Sequence, residues 1–148
     1  MELVIVILLL SILSVFALGK LFNPDQFAAK GFFDDTLNAM RFAQKLAIST
    51  GCDVRVLTTA SSYELHQSSL SPTCAAGVFT IPVKNPANRA NNYQNSSLPA
   101  GFSLAPVTSI TFNARGVLES GNNFVFTLTG PGTALFFNVY GQTGLVDG

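Results

Sequence analysis

The chain changes its hydrophobic rhythm twice. Residues 3–18 are apolar at every position except Ser11 and Ser14. A run that is apolar all round predicts a helix without a polar face, the kind that lies in lipid or among like helices. As a helix these sixteen residues reach about 24 Å, slightly short of the roughly 30 Å hydrocarbon core of a bilayer. Gly19 and Pro24 then break the pattern, because Gly weakens a helix and Pro disfavours helix at the residue before it.

From Asp25, read as an N-cap, a helical period takes over and predicts a second helix over 25–50. Phe33, Leu37, Met40, Ala43 and Ala47 form its apolar stripe, widened by Phe32, Ala39, Phe42 and Leu46. Lys30, Asp34, Asp35, Asn38, Arg41 and Lys45 fall mostly on the other side. The stripe reads as core rather than as a cofactor site, and Gly51 as a C-terminal stop.

After Gly51 the period drops to two. Segments 52–56 and 62–66 read as a hairpin turning near Ala60 and Ser61. Segment 78–83 reads as an edge strand because of Pro82. Residues 84–101 form a polar loop, the segment expected to be mobile or to face a partner. Strands over 109–113, 124–129 and 134–140 follow, with turns at Gly130–Gly132 and after Gly141. The expected class is α+β: a long N-terminal helix packed on an antiparallel β-sheet domain. The chain divides into an apolar helix, 1–19, and a globular unit, 20–148, with its β-region over 52–148.

Composition narrows the functions. Net charge is zero and only 11% of residues are charged, against about 25% in ordinary soluble domains. Nucleic-acid binding, which needs clustered Lys and Arg, is disfavoured. Cys52 and Cys74 form no C-x-x-C, and the single His cannot complete a usual Cys/His zinc set. Behind a membrane segment they imply an exported domain with one disulfide; the alternative is two buried thiols. His66 lies in a strand-like segment and no G-x-S-x-G motif exists, so no catalytic triad is assembled. Asp34 and Asp35 are adjacent on a helix and diverge. No EF-hand spacing is present, which leaves Asp147 with backbone carbonyls as the residual calcium candidate. Asn95-Ser96-Ser97 matches a glycosylation pattern but reads better as solvated loop. No cofactor, metal or catalytic residue is expected.

Three readings compete for the N-terminus. A cleaved signal peptide would use Ala17-Leu18-Gly19 but lacks a basic start, and Glu2 has the wrong sign. A plain anchor explains the run and not the acid. The third is a resemblance: ELVIVILLLSILSVFAL is similar to the N-terminal segment of type IV pilins and pseudopilins. In that family the mature chain begins Phe-Thr-Leu, then an aliphatic residue or Met, then Glu. Glu2 matches that glutamate and Met1 the residue before it. On this alignment a short basic leader ending in Gly, then Phe-Thr-Leu, is expected upstream of Met1.

Further along, NAMRFAQKLAISTGCDVRV, ITFNARGVL and LFFNVYGQTGLV resemble the GspH/FimT group of minor pilins and pseudopilins. STGCDVRV is also similar to minor pilins of mannose-sensitive haemagglutinin pili. The resemblance implies a pilin-like fold and a subunit of a type IV pilus or a type II secretion pseudopilus. It implies prepilin-type processing and N-terminal methylation. Its partners would be other pilins or pseudopilins, the inner membrane, an inner-membrane assembly platform and a prepilin peptidase. The subunit would wait in the bacterial inner membrane with its globular unit in the periplasm. Glu2 would pair with a neighbouring subunit's N-terminal amine and set register, since an unpaired buried acid is costly; the alternative is an acid snorkelling to the membrane surface. Some FimT-like proteins bind DNA through a basic C-terminus, but residues 134–148 contain no Lys or Arg. Two other readings stand beside assembly: a membrane-anchored periplasmic binding domain using the 84–101 loop, and a signal-cleaved secreted protein.

Overall fold

The structure, a computed structural model, describes residues 2–21, 23–68, 74 and 77–148, without the side chains of Glu2 and residues 15–21. Helix α1 is Glu2–Leu21 and α2 is Pro24–Thr50. The strands are β1 Val54–Thr58, β2 Tyr63–Gln67, β3 Ile81–Pro82, β4 Gln94–Asn95, β5 Ser103–Ala105, β6 Thr108–Phe112, β7 Phe124–Gly130, β8 Thr133–Val139 and β9 Val146–Asp147.

The first break comes later than Gly19: α1 continues to Leu21 and α2 starts at Pro24. A helical Gly costs about 1 kcal/mol but keeps its N–H, whereas Pro loses the donor and clashes with the preceding turn. The N-cap is Asn23, not Asp25. Pro24 suits the first helical position, where an N–H has no partner anyway. Asp25 then sits in the first turn, where a carboxylate meets the positive helix end. At the far end Gly51 takes φ 70° and its N–H donates to the Ala47 carbonyl at 2.9 Å. Only Gly adopts that left-handed cap without strain.

Two antiparallel sheets receive α2. The first runs β3-β2-β1-β6, with β4 also pairing β2, and the second runs β5-β7-β8-β9. The buried stripe of α2 is Ala29, Phe32, Phe33, Thr36, Leu37, Ala39, Met40, Ala43 and Ala47. It packs in one core with Val54, Val56, Leu65, Ile110 and Phe112 of the first sheet and Phe126, Leu128, Phe137 and Val139 of the second. Phe33 meets Phe137 edge-on at 5.5 Å, and Phe137 stacks on Phe126 at 5.0 Å. These centroid distances lie in the favourable range for aromatic pairs.

The β-region differs from the sequence reading in detail. The hairpin forms two residues later than 52–56, as β1 and β2, because Cys52 belongs to the turn after the helix cap. Segment 78–83 contributes only Ile81–Pro82 to a ladder, at the sheet edge. The 84–101 loop is tied down rather than free. Lys84 bridges Asn92, β4 pairs β2, and Tyr93 is 8% exposed.

Candidate functional site

Two surfaces bear on function: the apolar flank of α1, and the polar ties that seat α2. Every described side chain of α1, residues 3–14, is exposed, from 47% at Ile12 to 72% at Leu3 among its large aliphatics. None of them joins the core. Its only polar side chains there turn inward on the helix itself: the Ser11 and Ser14 hydroxyls donate to the Leu8 and Leu10 carbonyls. The stretch is therefore apolar on all sides and uncovered. Among the described residues, no helix is long and apolar enough to cross a membrane. The Glu2 side chain, which carries the expected register contact, lies outside the described residues, as does Met1.

The second surface contains what the helical periodicity misassigned. Asp35, read as solvent-facing, is half-buried and accepts hydrogen bonds from the Tyr63 hydroxyl and from Asn95 Nδ2, the latter at 2.8 Å. It stands beside the widened stripe, one turn from Phe32 and from Ala39, and so reaches the rim of the first sheet. Burial, and then the hydrogen bond to Asp35, push the Tyr63 phenol well above its ordinary pKa. Tyr93 is raised by burial and then by the Asp35 charge. One carboxylate thus holds α2, β2 and β4 together. Arg41, read as solvent-facing and exposed in the structure, also donates from Nε and Nη2 to the Val146 carbonyl at 3.3 Å. Gln44 Nε2 donates to the carbonyls of Gly116 and Thr143. No sequence signal marked these ties, because their acceptors are backbone carbonyls 72 to 105 residues away.

Cys52 and Cys74 are joined by a disulfide, Cα to Cα 5.3 Å apart. It sits directly after the α2 cap, where Gln67 Nε2 also donates to Thr50 Oγ1 at 3.0 Å. His66 Nε2 lies 3.6 Å from Glu64 Oε2, and among the described residues no Ser or Cys hydrogen-bonds to it. Among the described residues no three His, Cys, Asp or Glu side chains gather as metal ligands. The 84–101 loop carries a shallow depression of about 470 Å³ lined by Lys84, Ala90, Asn91, Asn92 and Gln94. Its wall has no exposed aromatic platform. The described residues thus offer an uncovered apolar helix beside a domain whose polar side chains tie its elements together.

Comparison with known proteins gives the same picture. The sequence model of the family described as Type II transport protein GspH matches residues 34–142. No curated protein is significantly similar in sequence. The fold resembles the type IV minor pilin FimU of Pseudomonas aeruginosa, with TM-score 0.57 and 14% identity over 82% of this chain and 85% of that one. It also resembles the minor pseudopilin EpsH from the type 2 secretion system of Vibrio cholerae, with TM-score 0.59 and 14% identity over 80% of this chain and 94% of that one.

Proposed function

Because this chain belongs to the GspH family of type II transport proteins, we infer that it is a minor pilin or pseudopilin, a filament subunit of a type IV pilus or a type II secretion pseudopilus. Its work is assembly, and no reaction is assigned to it. The observation that carries this reading is α1, exposed at every described side chain while the rest of the chain has closed its own core. Such a helix is stable only where its surroundings are apolar on all sides, in lipid or among like helices. Assembly exchanges one such environment for the other. The chain would wait in the inner membrane by residues 1–19, its globular unit in the periplasm, and then pack with other pilins or pseudopilins. An assembly platform and a prepilin peptidase follow from that reading.

Glu2 is proposed as the register contact, its carboxylate paired with the N-terminal amine of the next subunit. A charge-assisted contact of this kind contributes about 1.5–3 kcal/mol, roughly a tenfold to hundredfold change in the incorporation equilibrium. The test measures the fraction of subunit recovered in sheared filaments against inner membrane for wild type, Glu2→Gln and Glu2→Ala. Both variants are expected to stay in the membrane, to form Cys52–Cys74 and to lose incorporation. Equal incorporation of all three would overturn the role of Glu2. Wild-type chain that never enters filaments would overturn the assembly reading itself.

A further inference from the structure

Consecutive strands β5 and β6 go to different sheets. β5 pairs β7 in the register Ser103↔Thr129, Leu104↔Leu128, Ala105↔Thr127. Continued, that register would set Val107 opposite Val125 and Ser109 opposite Asn123. Instead the chain leaves β7 at Pro106 and pairs β1 from Thr108 onward. On its β5 side, β7 therefore has no strand beside Phe124, Val125 or Phe126 among the described residues. On the side away from β1, β6 has only the bridge Phe112↔Leu118 among the described residues.

The direction of the free groups on β6 is fixed by their neighbours. The carbonyls of Pro106 and Thr108 accept from Thr58 Oγ1, and the Thr108 N–H donates to it. These residues face β1. The Thr111 carbonyl accepts from the Glu119 N–H at 2.9 Å and so faces away. Peptide groups alternate along a strand, so Val107 and Ser109 also present N–H and C=O away from β1. Among the described residues neither has a partner for them. Between β6 and β7 lies a cleft of about 260 Å³ lined by Ser109, Ile110, Thr111, Glu119, Ser120 and Phe124. Val107 and Val125, which a continuous sheet would bring together, stay 66% and 54% exposed.

Exposed edges are normally blunted by charge, bulges or cover, because they template further pairing. Residues 107–110 carry no charge, and Val107, Thr108 and Ile110 are strong strand formers; the charge that lines the cleft is Glu119, at its far end. We propose that this split is a strand-acceptor site, in which an extended segment of a different filament subunit pairs with β6 at Val107–Ser109. An apolar side chain of that segment would lie on the outer face between Val107 and Val125. Unpaired backbone donors and acceptors beside an open cleft fit an extended peptide and little else. A second copy fits badly. Two-fold pairing of β6 with itself would drive Pro106 and the 119–121 turn of each copy into the other. The source of the partner rests on the filament-subunit reading; the open edge does not.

The test places the photo-cross-linking residue p-benzoylphenylalanine at position 107 of the full chain in cells that make the filament. Illumination is expected to give one adduct, with a different subunit, mapped by mass spectrometry to a non-helical segment. Ser109→Pro deletes the outward N–H but spares the β1 ladder, so adduct yield should fall at least tenfold. Ser109→Ala should stay within twofold of wild type. Should Ser109→Pro fail to oxidise Cys52–Cys74, amide exchange decides. Val107 and Ser109 should then exchange at least tenfold more slowly in wild-type filaments than in free chain. No adduct, an adduct only with a second copy, a yield indifferent to proline, or unchanged exchange overturns the proposal. Adducts are read in membranes and filaments alike, so a chain that fails to enter filaments is told apart from one that lacks this site.

Discussion

Helices α1 and α2 are neighbours in the chain and follow opposite rules. α2 alternates its apolar and polar faces with the helical turn, and nine of its side chains are buried. α1 is apolar at almost every position and buries none of its described side chains. An amphipathic helix can be completed by a sheet of its own chain. A helix apolar all round gives a single sheet no face to prefer, and its complement must come from outside. The same residue types therefore specify folding in one segment and association in the other.

That contrast is open to measurement by truncating side chains in each helix. Phe33→Ala, at the junction of α2 with Phe137, is expected to cost the domain about 3–5 kcal/mol in denaturant unfolding. Leu8→Ala in α1 should change domain stability by less than about 0.5 kcal/mol. Equal losses would mean that α1 contributes to the fold. Next in size is the staple behind the α2 cap. Cys52→Ser with Cys74→Ser should cost about 3 kcal/mol, the chain-entropy value for a loop of this separation. Retained stability in that double variant would show that the turn after α2 needs no cross-link.

Smaller again is the polar tie. Asp35→Ala strands the Tyr63 hydroxyl and Asn95 amide and is expected to cost about 1–3 kcal/mol. The same tie has a pH signature. Tyr63 in the folded state holds its proton above the ordinary value of 10.0. Its contribution is complete below that value and is lost as pH rises, because only the unfolded phenol ionises. The expected slope above pH 10 is about 1.4 kcal/mol per unit for each such phenol. Tyr63→Phe should flatten it to the part left by Tyr93, and an unchanged slope would reject the assignment. Least of all should matter the loss of α1. A chain beginning at Pro24 is expected to be monomeric and to form Cys52–Cys74. Its stability should lie within about 0.5 kcal/mol of full length, and aggregation would break the comparison.

The sequence carried whatever repeats locally. The α2 stripe was legible from Phe33 to Ala47 because burial recurs with each turn, and the β1–β2 hairpin because its alternation spans only a short loop. Of the two-residue strands, β3 falls inside the segment that Pro82 marked as an edge strand, while β4 and β9 are too short for any local rhythm to mark them. β5 was missed because its three residues precede a Pro and look like loop. Asp35 was misread for a related reason: periodicity reports the centre of a helix face and says little about its rim, where a half-buried acid finds Tyr63 and Asn95. The resemblance at Glu2 supplied the expectation about assembly, and its side chain lies outside the described residues.

The cross-link between Cys52 and Cys74 also bears on how the subunit carries load. A pull applied along α1 enters the globular unit through the end of α2, and the first covalent junction it meets is that bond. The intervening hairpin, β1 and β2, then lies in a side branch of the tension path. For a separation of 22 residues, roughly 70–80 Å of contour length is withheld from extension. Force passes directly from Cys52 to Cys74 and onward to the later strands. Under traction such a subunit should lengthen in one short step with the bond intact, and gain the remaining length only after reduction.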